Sequence, residues 1–195
     1  MSNIFVIAGN SAAGKTFLMS NAERLGKHLS VVKKMTTRKP RDNEKMLTDY
    51  DLQFGFSIEE VKNCDLHFSY RDEWYGIRIK DIDDILARDK NPILVIRRIS
   101  IITELKQRYP DTVFTILCQS CFDENELADF LLKRNIPKKE VDSRLSSRFE
   151  KECRQEYQKN MNIFDRVIIN YYDHRFLEEA GMFVEEIISK RGERQ

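Results

Sequence analysis

Residues Gly9-Asn10-Ser11-Ala12-Ala13-Gly14-Lys15-Thr16 form a complete G-x-x-x-x-G-K-[ST] loop, directly after the apolar run Ile4 to Ala8. Two glycines let the backbone curl until successive N–H groups, with a helix start behind them, converge on an anion. The lysine of such a loop reaches the β- and γ-phosphates of a nucleoside triphosphate, and the hydroxyl beside it ligates Mg²⁺. The expectation is a chain that holds ATP by its phosphates, with Lys15 on the phosphates and Thr16 on the metal. A chance glycine-rich turn is the competing interpretation. Against it stand the strand-like run before the loop and the helical pattern Phe17, Leu18, Ala22, Leu25 after it, the context this motif requires.

A second group of residues could hold another phosphate. Thr36-Thr37-Arg38-Lys39-Pro40-Arg41-Asp42-Asn43-Glu44, then Asp49-Tyr50, then Trp74-Tyr75-Gly76, supplies two guanidiniums and two phenols. Arginine offers a planar fork of donors and tyrosine a neutral donor, which suits a phosphate monoester. Taken alone, the same residues read more simply as two solvated arginines and two packed tyrosines. Cys118-Gln119-Ser120-Cys121 is a lone C-x-x-C with no second pair and with His28, His67 and His174 scattered, so a strand end and its loop is the simpler interpretation.

Strand-like runs at Ile4 to Ala8, Ser30 to Met35, Ile93 to Arg97, Val113 to Cys118 and Arg166 to Asn170 are separated mostly by helical patterns. That alternation predicts an α/β fold, a parallel sheet with helices on both faces. Phe176, Ala180, Phe183 and Ile187 make one apolar stripe, hence a last helix whose aromatics belong to the core. Two stretches break the alternation. Residues 36–80 hold no long helix and a Lys39-Pro40 breaker, and are expected to form an inserted lobe with its own small sheet. Residues 123–159 are helical and densely charged, which is usually a solvated face. The expected organisation is one domain with a core of residues 1–35, 81–122 and 160–195, carrying these two insertions.

A chain of 195 residues with 41% hydrophobic content can bury a sizeable core. With 33 Lys and Arg against 32 Asp and Glu, the net charge of +1 gives no global footprint for nucleic acid or a membrane surface. No apolar run approaches the ~20 residues that span a bilayer. The apolar N-terminal stretch leads into the phosphate loop instead of a signal-peptide cleavage site, so a cytoplasmic location with reduced cysteines is expected.

The phosphate loop, the T-T-R-x-P-R-x-x-E run, the D-Y and Y-G pairs and the tail Phe164-Asp165-Arg166-Val167-Ile168-Ile169-Asn170 together resemble the guanylate kinase family, in the same order over nearly the whole chain. The resemblance implies a phosphate-loop kinase with a core, an acceptor-binding lobe at 36–80 and a mobile lid at 123–159. It implies transfer of the γ-phosphoryl group of ATP, with Mg²⁺, to a phosphorylated small-molecule acceptor, first of all a nucleoside monophosphate. By motif position Arg38, Arg41, Tyr50 and Tyr75 would grip the acceptor's phosphate. Arg134 and Arg144 match lid arginines that close over the triphosphate, and Asn170 matches the asparagine beside the adenine. Phosphoryl transfer needs positioning and positive charge more than covalent help, so Lys15, Arg41, Arg134 and Arg144 would be the transition-state groups, with no general base.

Three departures bear on the acceptor. Where the family reads guanine, the matching positions are Lys34 and Leu66, with Ile77 after Y-G, and Asp65 lies one place from Leu66. The family's acidic strand end becomes Ile93-Leu94-Val95-Ile96-Arg97, followed by Arg98. Ligands of open α/β sheets sit beyond the carboxyl ends of the strands, so Arg97 or Arg98 is a candidate acceptor-binding cation, with solvent the alternative. An inward Arg97 would suit a more anionic acceptor or leave Mg²⁺ to Thr16, phosphates and water. Similar losses occur in the ribose 1,5-bisphosphate phosphokinases, which makes a bisphosphorylated sugar the alternative acceptor. A non-catalytic nucleotide-binding interaction module is the alternative from another class.

Overall fold

The computed structural model describes residues 2–26, 28–40, 51–145 and 147–192. Strand β1 (Ile4–Gly9) is buried along its whole length, as a parallel strand covered on both faces must be. It lies at the centre of a five-stranded sheet in the order β2 (Leu29–Val31), β7 (Asn91–Val95), β1, β8 (Val113–Ser120), β9 (Arg166–Asn170), with every pairing parallel. Alternate residues of β1 feed opposite cores. Ile4, Val6 and Ala8 pack with Ile79, Ile82 and Ile85 of α4 (Ile79–Leu86) and with Ile99, Ile102 and Leu105 of α5 (Ile99–Arg108). Phe5 and Ile7 pack with α1 (Lys15–Ser20), α2 (Ala22–Leu25) and the stripe Phe176, Ala180, Phe183 of α9 (Arg175–Gly192). The expected α/β sheet covered on both faces is thus present. Phe17 departs from the expected stripe: it is 46% exposed, and Met19 is buried in the same core instead.

The run Ser30 to Met35 is not one strand. Val32 N still donates to Ile93 O at 2.9 Å, but β3 (Lys34–Thr36) belongs to a second sheet, ordered β4 (Leu52–Gln53), β3, β6 (Glu73–Ile77), β5 (Leu66–Tyr70). Continuous strand-forming residues say nothing of a change of partner, because the partner is distant in sequence. Between β4 and β5 lies α3 (Ile58–Lys62), started by a Ser57/Glu60 capping box. Hairpin β5–β6 pairs Tyr70 with Glu73 across Arg71 and Asp72, both at positive φ (52° and 63°).

Three helices occupy the charged stretch: α6 (Glu124–Lys133), α7 (Lys138–Leu145) and α8 (Arg148–Lys159). Asp123 and Ser147 accept from the first free N–H groups of α6 and α8. Leu127, Leu131, Val141 and Leu145 form a small core of their own, while Cys153 and Tyr157 join α8 to the main one. No helix among the described residues is long and apolar enough to cross a membrane.

Candidate functional site

The carboxyl end of β1 turns into the loop through two glycines that no other residue could replace without a shift. Gly9 sits at φ 140°, where a Cβ would lie 2.4 Å from the Cys118 carbonyl oxygen of β8, and Gly14 at φ 94°, where a Cβ would lie 2.4 Å from Asn170 Nδ2 and 2.7 Å from Phe176. The loop is also held from below. Asn170 Nδ2 donates to Ala13 O at 3.4 Å, its Oδ1 accepts from Tyr172 N at 2.7 Å, and Tyr172 OH donates to Ala12 O at 3.0 Å. Asn170, expected beside the adenine, therefore has its amide engaged under the loop, although it lines the same cavity. Ala13 is buried. Lys15 Nζ folds back to Asn10 O at 2.5 Å. Burial, and then the Arg97 charge, lowers the Lys15 ammonium to about 7, against a smaller opposing effect of Glu150.

This loop forms one wall of a cavity of about 900 Å³. Ser11, Lys15 and Thr16 line it from the loop, Arg38 and Tyr75 from the small sheet, and Arg134 and Arg144 from the helical segment. The two threonines before Arg38 fix the chain that leads to it: Thr36 Oγ1 donates to Trp74 O at 2.8 Å, Thr37 Oγ1 donates to Glu73 at 2.9 Å and accepts from Trp74 N at 3.0 Å. Tyr75 is on β6 opposite Thr36 of β3, and Arg38 lies two residues beyond the end of β3. Tyr75 stacks on Phe68 (centroids 5.4 Å apart, planes 14°), and the Arg38 guanidinium lies 5.1 Å from the Phe54 ring centre. Arg134 closes α6 as its C-cap, 4.8 Å from the Phe130 ring centre, and Arg144 donates to Glu140 at 2.6 Å. Arg41 and Tyr50 lie outside the described residues. Cys118 ends buried in β8 with its thiol pushed up by burial to about 12, and Cys121 is exposed in the loop that follows.

Beyond β7, Arg97 faces the cavity and Arg98 does not line it: Arg98 Nη2 donates to Ser69 O on β5 at 3.0 Å. The sequence offered Arg97 as a cation facing the acceptor site; it does line the cavity, and it is paired there. Arg97 Nη2 donates to both oxygens of Glu150, at 2.8 and 2.9 Å, and Glu150 is fully buried. The same carboxylate accepts from Ser11 N at 3.0 Å, from Ser11 Oγ at 2.5 Å and from Arg71 Nη2 at 3.1 Å, and the Tyr70 hydroxyl donates to it as well. Burial alone would raise Glu150, but Arg97, Ser11 and Tyr70 together bring it down to about 2. Sequence reasoning missed both Glu150 and Arg71: Ser147-x-x-Glu150 reads as an ordinary capping box, and Arg71 stands in a charged Arg71-Asp72 turn that matches no motif.

Lys34, Leu66 and Ile77, the positions that match the family's guanine-reading residues, have other surroundings here. Lys34 donates to Asp51 at 2.5 Å, both nearly buried and both at the cavity wall. Leu66 and Ile77 are core, and Asp65 accepts from Ile79 N at 2.8 Å at the start of α4. For a metal, the chain offers Thr16, exposed at the first turn of α1. Among the described residues no group of three His, Cys, Asp or Glu is placed to hold an ion. A hard cation fits a single hydroxyl when phosphate oxygens and water complete its shell.

No family model matches the chain. Over 137 residues, 67% of this chain, it is 32% identical to the guanylate kinase of Onion yellows phytoplasma (strain OY-M) and 31% identical to that of Aster yellows witches'-broom phytoplasma (strain AYWB). It spans 63% of the length of each. In fold it matches the guanylate kinase of Anaplasma phagocytophilum with a TM-score of 0.65, covering 97% of this chain and 86% of that one at 18% identity. A gluconokinase from Sinorhizobium meliloti 1021 matches at 0.50 and 12% identity, covering 99% of this chain and 97% of its own. The chain is therefore guanylate kinase-like, in sequence over two thirds of its length and in fold over nearly all of it.

Proposed function

We propose that the chain is a cytoplasmic phosphotransferase that moves the γ-phosphoryl group of ATP to a phosphorylated small-molecule acceptor, first of all a nucleoside monophosphate. One observation carries this: a single cavity is lined by the phosphate loop, by Arg38 and Tyr75 opposite, and by Arg134 and Arg144. The loop's N–H groups and Lys15 would bind the triphosphate, and Arg38 and Tyr75 would hold the acceptor's phosphate in line with it, with Arg41 and Tyr50 assigned the same task. Arg134 and Arg144 would add charge around the moving group and exclude water, so that the acceptor and not water takes the phosphoryl group. Bound at Thr16, Mg²⁺ would neutralise the β- and γ-oxygens as charge develops.

Carboxylates on the small-sheet side of the cavity favour a nucleoside monophosphate over a bisphosphorylated sugar. Lys34 is matched by Asp51, whereas Arg97 and Arg71 share the single carboxylate of Glu150, so the added cations of the cavity wall leave one net positive charge. Asp51 and Glu73 line the small-sheet side of the cavity, where the N–H edge of a base would find acceptors.

The test is ADP release from Mg-ATP across GMP, dGMP, AMP, UMP, CMP and ribose 1,5-bisphosphate, with Lys15→Ala as the blank. Stimulation by one nucleotide, lost in the blank, supports the reading. Stimulation by the bisphosphate alone replaces it with a sugar kinase, and ATP binding without any stimulated turnover favours a binding module.

A further inference from the structure

Glu150 belongs to α8, yet its hydrogen bonds reach three other parts of the chain: the phosphate loop, the end of β7 and the tip of the β5–β6 hairpin. A glutamate at the third position of a Ser-capped helix ordinarily reaches back to the cap's own N–H. Ser147 does cap α8, but the Glu150 carboxylate turns inward, where the helix start also favours a negative group.

From the hairpin, Arg71 completes the connection. Its Nη2 reaches Glu150 at 3.1 Å and Ser147 Oγ at 3.5 Å, and its Nη1 reaches Ser143 Oγ at 3.3 Å on α7. Arg71 holds φ 52° in a two-residue turn whose usual residues are Asn and Gly. A side chain with a Cβ resists that conformation, and it persists where surrounding contacts over-determine it. Tyr70, beside it, donates to the same carboxylate and lies within 4.2 Å of the Arg97 guanidinium, measured to its ring centre.

We propose that Glu150 and Arg71 are positioning residues that join the hairpin of the small sheet to the phosphate loop and to α7–α8, so that a nucleotide seated on the loop orders the opposite wall of the cavity before the acceptor arrives. The proposal rests on the reading that the loop holds ATP. Ser11 is the link: its N–H and hydroxyl both end on Glu150, so phosphates that fix the loop also fix the carboxylate to which the hairpin is tied. Coupling of this kind needs a physical element biased by both sites, and the shared carboxylate supplies it. Arg98, bonded to Ser69 O, is a separate tie from core to hairpin and stays when the others are removed.

Hydrogen–deuterium exchange of the whole chain with and without Mg-ATP tests this without any acceptor. In the unaltered protein Mg-ATP should slow exchange in the phosphate loop and, about tenfold, within the range of site-to-site coupling, in hairpin residues 66–77. In Tyr70→Phe/Arg71→Gln the loop should keep its protection while the hairpin effect falls below about twofold. Glu150→Gln, which keeps the shape and removes the charge, should likewise lose the hairpin effect.

A hairpin that the nucleotide still protects in the double variant overturns the proposal. So does a hairpin that is merely faster-exchanging in both states with the same ratio, the mark of a purely structural role. A protected loop with an unaffected hairpin in the unaltered protein overturns the proposal alone. A loop that Mg-ATP leaves unprotected overturns the nucleotide reading, and the proposal with it.

Discussion

Two side chains at this site are far from their ordinary proton affinities, and each makes a prediction that does not depend on the acceptor. Lys15, lowered to about 7 by burial and by Arg97, is largely neutral in the free protein above that pH, whereas phosphates would hold it charged. Nucleotide binding should therefore take up a proton above pH 7, and affinity should weaken by about tenfold per pH unit until the ordinary lysine range is approached. Calorimetry of Mg-ATP binding at pH 8 in two buffers of different ionisation enthalpy would measure that uptake; a value of zero would overturn the coupling of Lys15 protonation to binding. Glu150 is displaced the other way, to about 2. A depressed carboxylate contributes stability that is complete above its unfolded value, near 4.5, and is lost as pH falls toward 2. The contribution is about 3 kcal/mol at neutral pH. Urea unfolding at pH 7 and pH 3 should show a steeper loss of stability in the unaltered protein than in Glu150→Gln.

At the scale of elements, the loop depends on what lies under it. Phe176 of α9 is 1% exposed and lies directly beneath Gly14, where a Cβ would meet its ring. Phe176→Ala should cost about 3–5 kcal/mol, read as a fall in thermal midpoint, and weaken ATP binding through the loop. Arg144 differs, because its partner Glu140 sits on the same helix and its side chain faces the cavity. Arg144→Ala should lower turnover by about a hundredfold while ATP affinity changes only a few-fold, the signature of a group used in the transition state. These contrasts track what the sequence could announce. The loop, the parallel sheet and the α9 stripe are local patterns, and each appeared where periodicity and glycine spacing put it. The switch of Ser30 to Met35 between two sheets, and the pairing of Arg97 with Glu150, depend on partners well separated in the chain, 53 residues apart for the ion pair. An S-x-x-E run at a helix start carries no mark that its glutamate will leave the cap.

At the scale of the whole molecule, the two sheets and the helical segment enclose one cavity, and phosphoryl transfer would require donor and acceptor to occupy it together. In such an arrangement, joining the two ligands should turn the second binding event into an intramolecular one. Adenosine linked through five phosphates to guanosine would place its ends on the α6–α8 side and the small-sheet side, with the phosphate chain across Lys15, Arg38 and the cavity-facing arginines. It should bind about a hundredfold or more tighter than ATP alone, because the second half pays little further translational entropy. The same molecule should shrink the radius of gyration in solution scattering as α6–α8 and the small sheet approach each other, an effect that ATP alone produces only in part. A linked ligand no tighter than ATP would mean that the small-sheet wall does not receive a nucleotide. The geometry of Arg38 and Tyr75 would then belong to another phosphorylated acceptor, reached by the same loop.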